Sequence, residues 1–337
     1  MAEQGEGAGA VAPIRDPTVA IVATGGTIQN TRSGRVAVDE VLADIERDFA
    51  PGLAGIAALR VTDLFRDGAE TFAPTHWARI ADAVRREAGD EGVDGVVVTH
   101  GTFTVEETAF FTHLTAGTAK PVVFVCAQRK HGSLGGDGDR NLVDAIRVAA
   151  DPGAAGRGAV VVIAEEIHAA REVTKTSQRP GGFASGGLGL LGTIETDRIS
   201  WYRALTRRHT LRSEFAALDL ERPLPRVDVV AAYPGADGTA VRAFTAAGAA
   251  GIVVHGFSFL GAPFPGQEPD LLRAIDAGIP VVLASRGGDG RIPGGAPLDA
   301  RYVTADRLTA QKARVLLMIA LAAEVPHEEL QRVFDEY

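Results

Sequence analysis

Two short stretches of this chain set hydroxyl side chains beside glycine where an apolar run ends. One is Ala23-Thr24-Gly25-Gly26-Thr27-Ile28; the other is Thr99-His100-Gly101-Thr102-Phe103-Thr104. A threonine hydroxyl is a weak nucleophile near neutral pH and needs a partner that takes its proton. Lys175, in Arg171-Glu172-Val173-Thr174-Lys175-Thr176, supplies a candidate once it is withdrawn from water. The glycines let a backbone come close to a ligand and leave N–H groups free to stabilise an oxyanion. Each element alone has a plainer reading: a tight turn for Thr24–Thr27, a solvated lysine for Lys175, a structural hydrogen-bonding residue for His100. A phosphate cradle fits the first turn poorly, because it carries neither Walker nor G-x-G-x-x-G spacing.

Those residues need rigid elements behind them. From residue 18 onward, apolar runs at 19–23, 58–64, 95–99, 122–126 and 159–164 alternate with helical patterns at 38–47, 75–87, 105–115 and 140–150. Such alternation predicts a parallel sheet with helices on both faces. Thr75, after Pro74, is placed as an N-cap, with Trp77, Ile80, Ala81 and Val84 as the apolar stripe. From Arg179 to Arg226 the rhythm breaks, and Glu221-Arg222-Pro223-Leu224-Pro225 reads as a linker. A smaller set follows, with strands at 227–231, 251–255 and 280–284 and helices at 238–247, 269–277, 309–322 and 326–334. The expected fold is α/β: a larger N-terminal domain with a mostly parallel, doubly wound sheet, then a smaller C-terminal α/β domain. The boundaries read as a flexible N-terminus at 1–17, a catalytic domain at 18–205, a linker at 206–225 and a second domain at 226–337. In an open parallel sheet ligands bind beyond the carboxyl ends of the strands, so both threonine stretches open onto one rim.

The 337 residues are 46% hydrophobic with a net charge of −9. That size buries a substantial core, and the charge disfavours nucleic acid as a partner. The single cysteine, Cys126, permits no intramolecular disulfide and reads as a buried core thiol. No apolar run approaches the roughly 20 residues of a membrane span, and no secretion signal opens the chain. A soluble cytoplasmic protein is the expectation. The eight histidines show no metal-ligand spacing, so no metal and no cofactor are expected, and Gly136 to Asp139 fits a turn better than a calcium loop.

In combination and order these stretches resemble the bacterial-type L-asparaginase family over nearly the whole chain. Asp137-Gly138-Asp139-Arg140-Asn141-Leu142, Arg171 to Ser177, and Thr309 to Leu317 are similar to further family segments. The resemblance implies hydrolysis of a side-chain amide through an acyl-enzyme on threonine, and homotetramers built as a dimer of dimers with sites between paired subunits. By position, Thr27 would be the nucleophile, with Thr102 and Lys175 the second hydroxyl–lysine pair. Gly25, Gly26 and Gly101 would shape the pocket, and residues 29–37 the mobile lid.

The departures gather where the family grips its substrate. The aspartate that binds the α-ammonium is Phe103 here, and the serine that binds the α-carboxylate is Ala69. Glu70 stands next to it, either as a replacement carboxylate or as a solvent-facing loop acid. The lid tyrosine has no counterpart, since all four tyrosines lie after residue 200, and Asp289 is the only acid between residues 285 and 298. Free asparagine presents an ammonium and a carboxylate, and both need partners once taken from water. Loss of two charged hydrogen bonds, at about 1.5–3 kcal/mol each, is expected to cripple its turnover, while Phe103 offers apolar surface worth ~2 kcal/mol. Removing the aspartate also takes an anion from Lys175, which favours a neutral amine as base for Thr102. The expectation is an amidohydrolase acting on a small molecule that lacks a free amino-acid head. Acyl transfer, elimination or condensation on the same threonine–lysine core, or a binding protein that keeps the fold, are the alternatives.

Overall fold

Valine, isoleucine and alanine dominate the first strands: β1 (Thr18–Ala23), β2 (Ala58–Asp63), β3 (Gly95–Thr99), β4 (Val122–Val125) and β5 (Ala159–Ile163). This computed structural model describes residues 16–48, 52–65, 71–293 and 298–337. The five strands run parallel in the order β2-β1-β3-β4-β5. Strands β3 to β5 are buried along their whole length, so both sheet faces must be covered. Helices α1 (Val38–Asp48), α2 (Pro74–Gly89), α3 (Val105–Thr115) and α4 (Gly138–Ala150) cover them. Successive strand side chains point to opposite faces. Val19, Ile21, Val97 and Val123 therefore pack with Val41, Ile45, Leu142 and Ile146 of α1 and α4. Ala20, Val22, Val96 and Val98 pack with Ile80, Val84, Val105 and Ala109 of α2 and α3. From β1 the chain moves to β2 on one side and then to β3 on the other. The turns after β1 and β3 thus meet at a topological switch point, where an open α/β sheet leaves a crevice.

The irregular reading of 179–226 needs correction. After β6 (Glu166–Ala169) and β7 (Thr174–Lys175), the chain forms β8 (Phe183–Ala184), β9 (Gly192–Ile194) and β10 (Ile199–Trp201). β6, β9 and β10 extend the large sheet antiparallel to eight strands, while β7 and β8 form a separate ribbon. These strands have two to four residues, too few for alternation to register. Gly187 to Gly192 has G-x-G-x-x-G spacing, yet it leads from a 3-10 turn into β9 rather than from a strand into a helix, so no dinucleotide cradle forms. Thr75 is not the cap of α2: Pro74 takes the first helical position and Ala73 the cap position, its N–H donating to His76 Nδ1 at 3.0 Å. Proline's fixed φ suits that first position, which moves the cap two residues upstream.

The smaller sheet, β11 (Val227–Ala231), β12 (Gly251–Gly256), β13 (Val281–Ser285) and β14 (Val303–Thr304), is parallel throughout. Helices α5 (Thr239–Ala246) and α6 (Glu268–Asp276) pack on its outer face. Helices α7 (Ala310–Ala322) and α8 (Leu330–Glu336) pack between it and the first domain, where Phe110, Phe111 and Leu114 join Val253, Val282, Leu316 and Phe334 in one core. Helix α3 is therefore buried all round. Its Thr108, Thr112 and Thr115 hydroxyls remain satisfied by donating to the carbonyls of Thr104, Thr108 and Phe111. Cys126 is buried. The proposed N-terminal segment falls almost entirely outside the described residues, and among those described no helix is long and apolar enough to cross a membrane.

Among the buried histidines are His100, His113, His168 and His209. Burial pushes all four below the ordinary imidazole value, His100 and His168 to about 4. At His100 and His168 the unfolded chain takes up protons near pH 6.5 that the folded chain refuses until near pH 4. Stability is therefore lost as pH falls through that window, by about 1.4 kcal/mol per pH unit for each of these two, and His113 and His209 act in the same direction. Glu107, pushed up to about 7 by burial, and His131, raised by Asp44 and Asp139 against its own burial, hold protons in the folded state and offset part of this. Urea unfolding midpoints are expected to fall steadily between pH 6.5 and 4; a flat profile contradicts this account.

Candidate active site

The two threonine turns are pressed together. Gly26 has φ +90°, and a Cβ there would lie 2.6 Å from the carbonyl carbon of His100 and 2.7 Å from the Gly101 nitrogen. No other residue fits that backbone or that gap. Beneath the contact, Thr24 Oγ1 donates to the Thr99 carbonyl at 2.5 Å, and Thr24 N–H donates to Thr99 Oγ1 at 3.2 Å. The Gln29 side chain braces the same turn: Oε1 accepts from Gly25 N–H at 3.0 Å and from Thr99 Oγ1 at 3.1 Å, while Nε2 donates to the Val36 carbonyl at 3.2 Å. The segment proposed as a lid is a hairpin-like loop pinned at its base, with Val36 N–H donating to the Gln29 carbonyl at 2.9 Å and an exposed tip at 32–35.

Thr27 is half-buried and opens a 3-10 turn, Thr27–Gln29. Gly26 and Gly101 are buried, and Thr102 is only 5% exposed. Lys175 reaches across from β7, its Nζ donating to Thr102 Oγ1 at 2.9 Å. Phe103 follows Thr102 at the mouth with 73% of its surface exposed, and Lys175 Nζ lies 5.7 Å from its ring centroid. At that distance the ring face attracts a cation weakly, by about 0.5–1 kcal/mol at an exposed site. A phenyl ring thus stands next to the lysine and faces out of the molecule. Ala69 and Glu70 lie outside the described residues.

Other side chains fix this pair, and no periodicity in the sequence marks them. Glu106, in the first turn of α3, accepts the Lys175 backbone N–H at 2.8 Å. Its only signal is its place four residues after Thr102. His100 is fully buried, with its ring edge-on to Phe72 and Phe124 at centroid distances of 5.2 and 6.1 Å. Nδ1 lies 2.9 Å from the Gly101 carbonyl, and burial keeps the ring neutral. Its position is structural. Asp289 accepts from Gly187 N–H at 2.8 Å and from Arg307 at 2.6 Å. Among the described residues no group of three or more His, Cys, Asp or Glu is arranged to hold a metal ion. What the arrangement can do is bring a hydroxyl and an amine to an acyl carbon, with an exposed phenyl ring beside them.

Comparison with known proteins places these features in a wider set. Residues 18–207 match the family model described as "Asparaginase, N-terminal", and residues 226–334 match "Glutaminase/Asparaginase C-terminal domain". The chain is 34% identical to L-asparaginase 2 of Bacillus subtilis over 95% of its own length and 87% of that protein. It is 34% identical to L-asparaginase 2 of Escherichia coli (95% and 93%) and 32% identical to a glutaminase-asparaginase of Pseudomonas aeruginosa (95% and 90%). The crystal structure of a probable cytoplasmic L-asparaginase from Campylobacter jejuni superposes with a TM-score of 0.88 at 31% identity, covering 95% of this chain and all of that one.

Proposed function

The chain belongs to the asparaginase family, and from that premise we propose that it hydrolyses an amide whose carrier lacks a free amino-acid head, with Thr102 as attacking hydroxyl and Lys175 as its base. The 2.9 Å contact between Thr102 Oγ1 and Lys175 Nζ carries the reading, since a nucleophile must have its base within hydrogen-bond reach. In its neutral form the amine accepts the hydroxyl proton while Oγ1 bonds to the amide carbon. Collapse of the tetrahedral intermediate breaks the C–N bond, the proton passes to the leaving nitrogen, and water hydrolyses the resulting ester. The relatives' names, L-asparaginase and glutaminase-asparaginase, support amide cleavage. Phe103 argues against the zwitterion as substrate, because a phenyl ring at that position beside Lys175 supplies no charge partner for an ammonium.

A second reading keeps Thr27 as the attacking oxygen, with Thr102 and Lys175 receiving its proton. The close approach of Gly26 to the His100–Gly101 peptide favours it, because it brings both threonines to one rim. A cytoplasmic dimer of dimers is part of the proposal; the exposed Phe103 leaves the mouth for a neighbouring subunit to cover. The test is covalent trapping with a diazo-ketone analogue of a head-blocked amide, followed by peptide mass spectrometry. The label is expected on Thr102. A label on Thr27 transfers the role to the second reading, and no label on either contradicts both.

A further inference from the structure

Lys175 stands on a strand that main-chain pairing holds weakly. β7 has two residues, pairs only with β8, and is separate from the eight-stranded sheet. Side chains from other elements grip it instead. From α3, Glu106 accepts the Lys175 N–H at 2.8 Å. From the first turn of α7, Lys312 Nζ donates to the carbonyls of Arg171 and Val173, at 3.0 and 2.5 Å. Further along, Gln128 Nε2 donates to the carbonyls of Ser177 and Arg179, at 3.2 and 3.1 Å.

Lys312 is the costly member of this set. It is 1% exposed, and an ammonium taken from water is unfavourable unless its protons find acceptors. It also stands at the helix end where the macrodipole repels a cation. Burial pushes it down to about 8, against the pull of the Glu106 carboxylate. The rest of α7 buries Val315, Leu316, Leu317, Met318 and Ile319, so packing alone calls for an apolar residue. What a lysine adds here is two hydrogen bonds to the segment immediately before Lys175.

We infer that Lys312 is a positioning residue for the reaction: by holding the carbonyls of Arg171 and Val173 it sets the reach of Lys175 to Thr102, so the C-terminal domain determines the geometry of the reactive pair. The inference rests on the proposed use of Lys175 as base. Lys312 touches no reacting atom and acts only through β7.

The test uses the full chain with p-nitrophenyl acetate, an acyl donor with no amino-acid head, and compares K175M, K312M and the double variant. Misplacing a catalytic group by 1 Å costs on the order of 100-fold. K312M is therefore expected to lower kcat by about 10- to 100-fold with KM within about twofold, and to add nothing in the K175M background. An unchanged kcat, or the same proportional loss in both backgrounds, overturns the inference. Lys312→Gln keeps a shorter, neutral amide donor in place of the ammonium and is expected to give an intermediate loss; it carries the test if the methionine variant does not fold, and wild-type kcat in it overturns the inference. A crystal structure of the folded variant decides independently of activity: the Lys175 Nζ to Thr102 Oγ1 gap should open beyond hydrogen-bond reach, and an unchanged gap contradicts the positioning role. If K175M itself leaves kcat intact, the functional reading falls, and that structure still judges Lys312.

Discussion

Lys175→Met lowers kcat for a head-blocked amide by about 10²–10⁴-fold, the range over which a positioned base accelerates proton transfer. KM changes little, because the lysine contacts the hydroxyl rather than the mouth: Nζ is 2.9 Å from Thr102 Oγ1, while Phe103 forms the exposed wall. Methionine matches the length and apolar stem of lysine, so the loss reports the amine rather than a void. Thr102→Val should fall to the same level, and the double variant no further, since nucleophile and base act as one unit. Ammonia release under saturating substrate reads all three. A K175M enzyme within about twofold of wild type removes the amine from the chemistry.

Phe103→Asp exchanges one specificity for another. A carboxylate there restores a partner for an α-ammonium, and a charged hydrogen bond of about 1.5–3 kcal/mol corresponds to about a 10- to 100-fold gain in kcat/KM for free asparagine. Adding Ala69→Ser, which supplies a hydroxyl for the α-carboxylate, should raise it further. The same variant loses activity on a head-blocked amide for two reasons. The apolar ring disappears, and the new anion stands beside Lys175, whose Nζ is 5.7 Å from the present ring, where an ion pair draws the amine away from Thr102 Oγ1. A variant that gains asparagine turnover without losing the blocked substrate contradicts the second reason. No gain at all places the deficit in the lid loop, whose exposed tip carries Arg35 and no tyrosine.

Much of the N-terminal domain was legible because its strands are long enough to show their period. Residues 19–23, 95–99 and 159–163 are continuous apolar runs, as strands buried on both faces must be. β7 to β10 escaped notice because two or three residues carry no periodicity. The threonine turns were legible for a different reason: a small-residue turn at the carboxyl end of a buried strand has few structural uses. Phe103 drew attention only against the family pattern, since a phenylalanine before a helix is otherwise unremarked. Glu106, Gln29 and Lys312 were illegible because each role depends on what tertiary packing brings to it. Glu106 and Gln29 look like ordinary polar residues, and Lys312 sits in a segment that reads as a helix start until its ammonium is found buried against two carbonyls.

The wild-type baseline of these assays bears most directly on the central claim, that the hydroxyl–amine pair persists beside a wall that no longer accepts a zwitterion. Ammonia release is measured for free L-asparagine and for the same amide with its amino group acetylated and its carboxyl group esterified. The account predicts turnover of the blocked compound and background release from the free amino acid. Brisk release from free asparagine, equal to or above that from the blocked form, would contradict it.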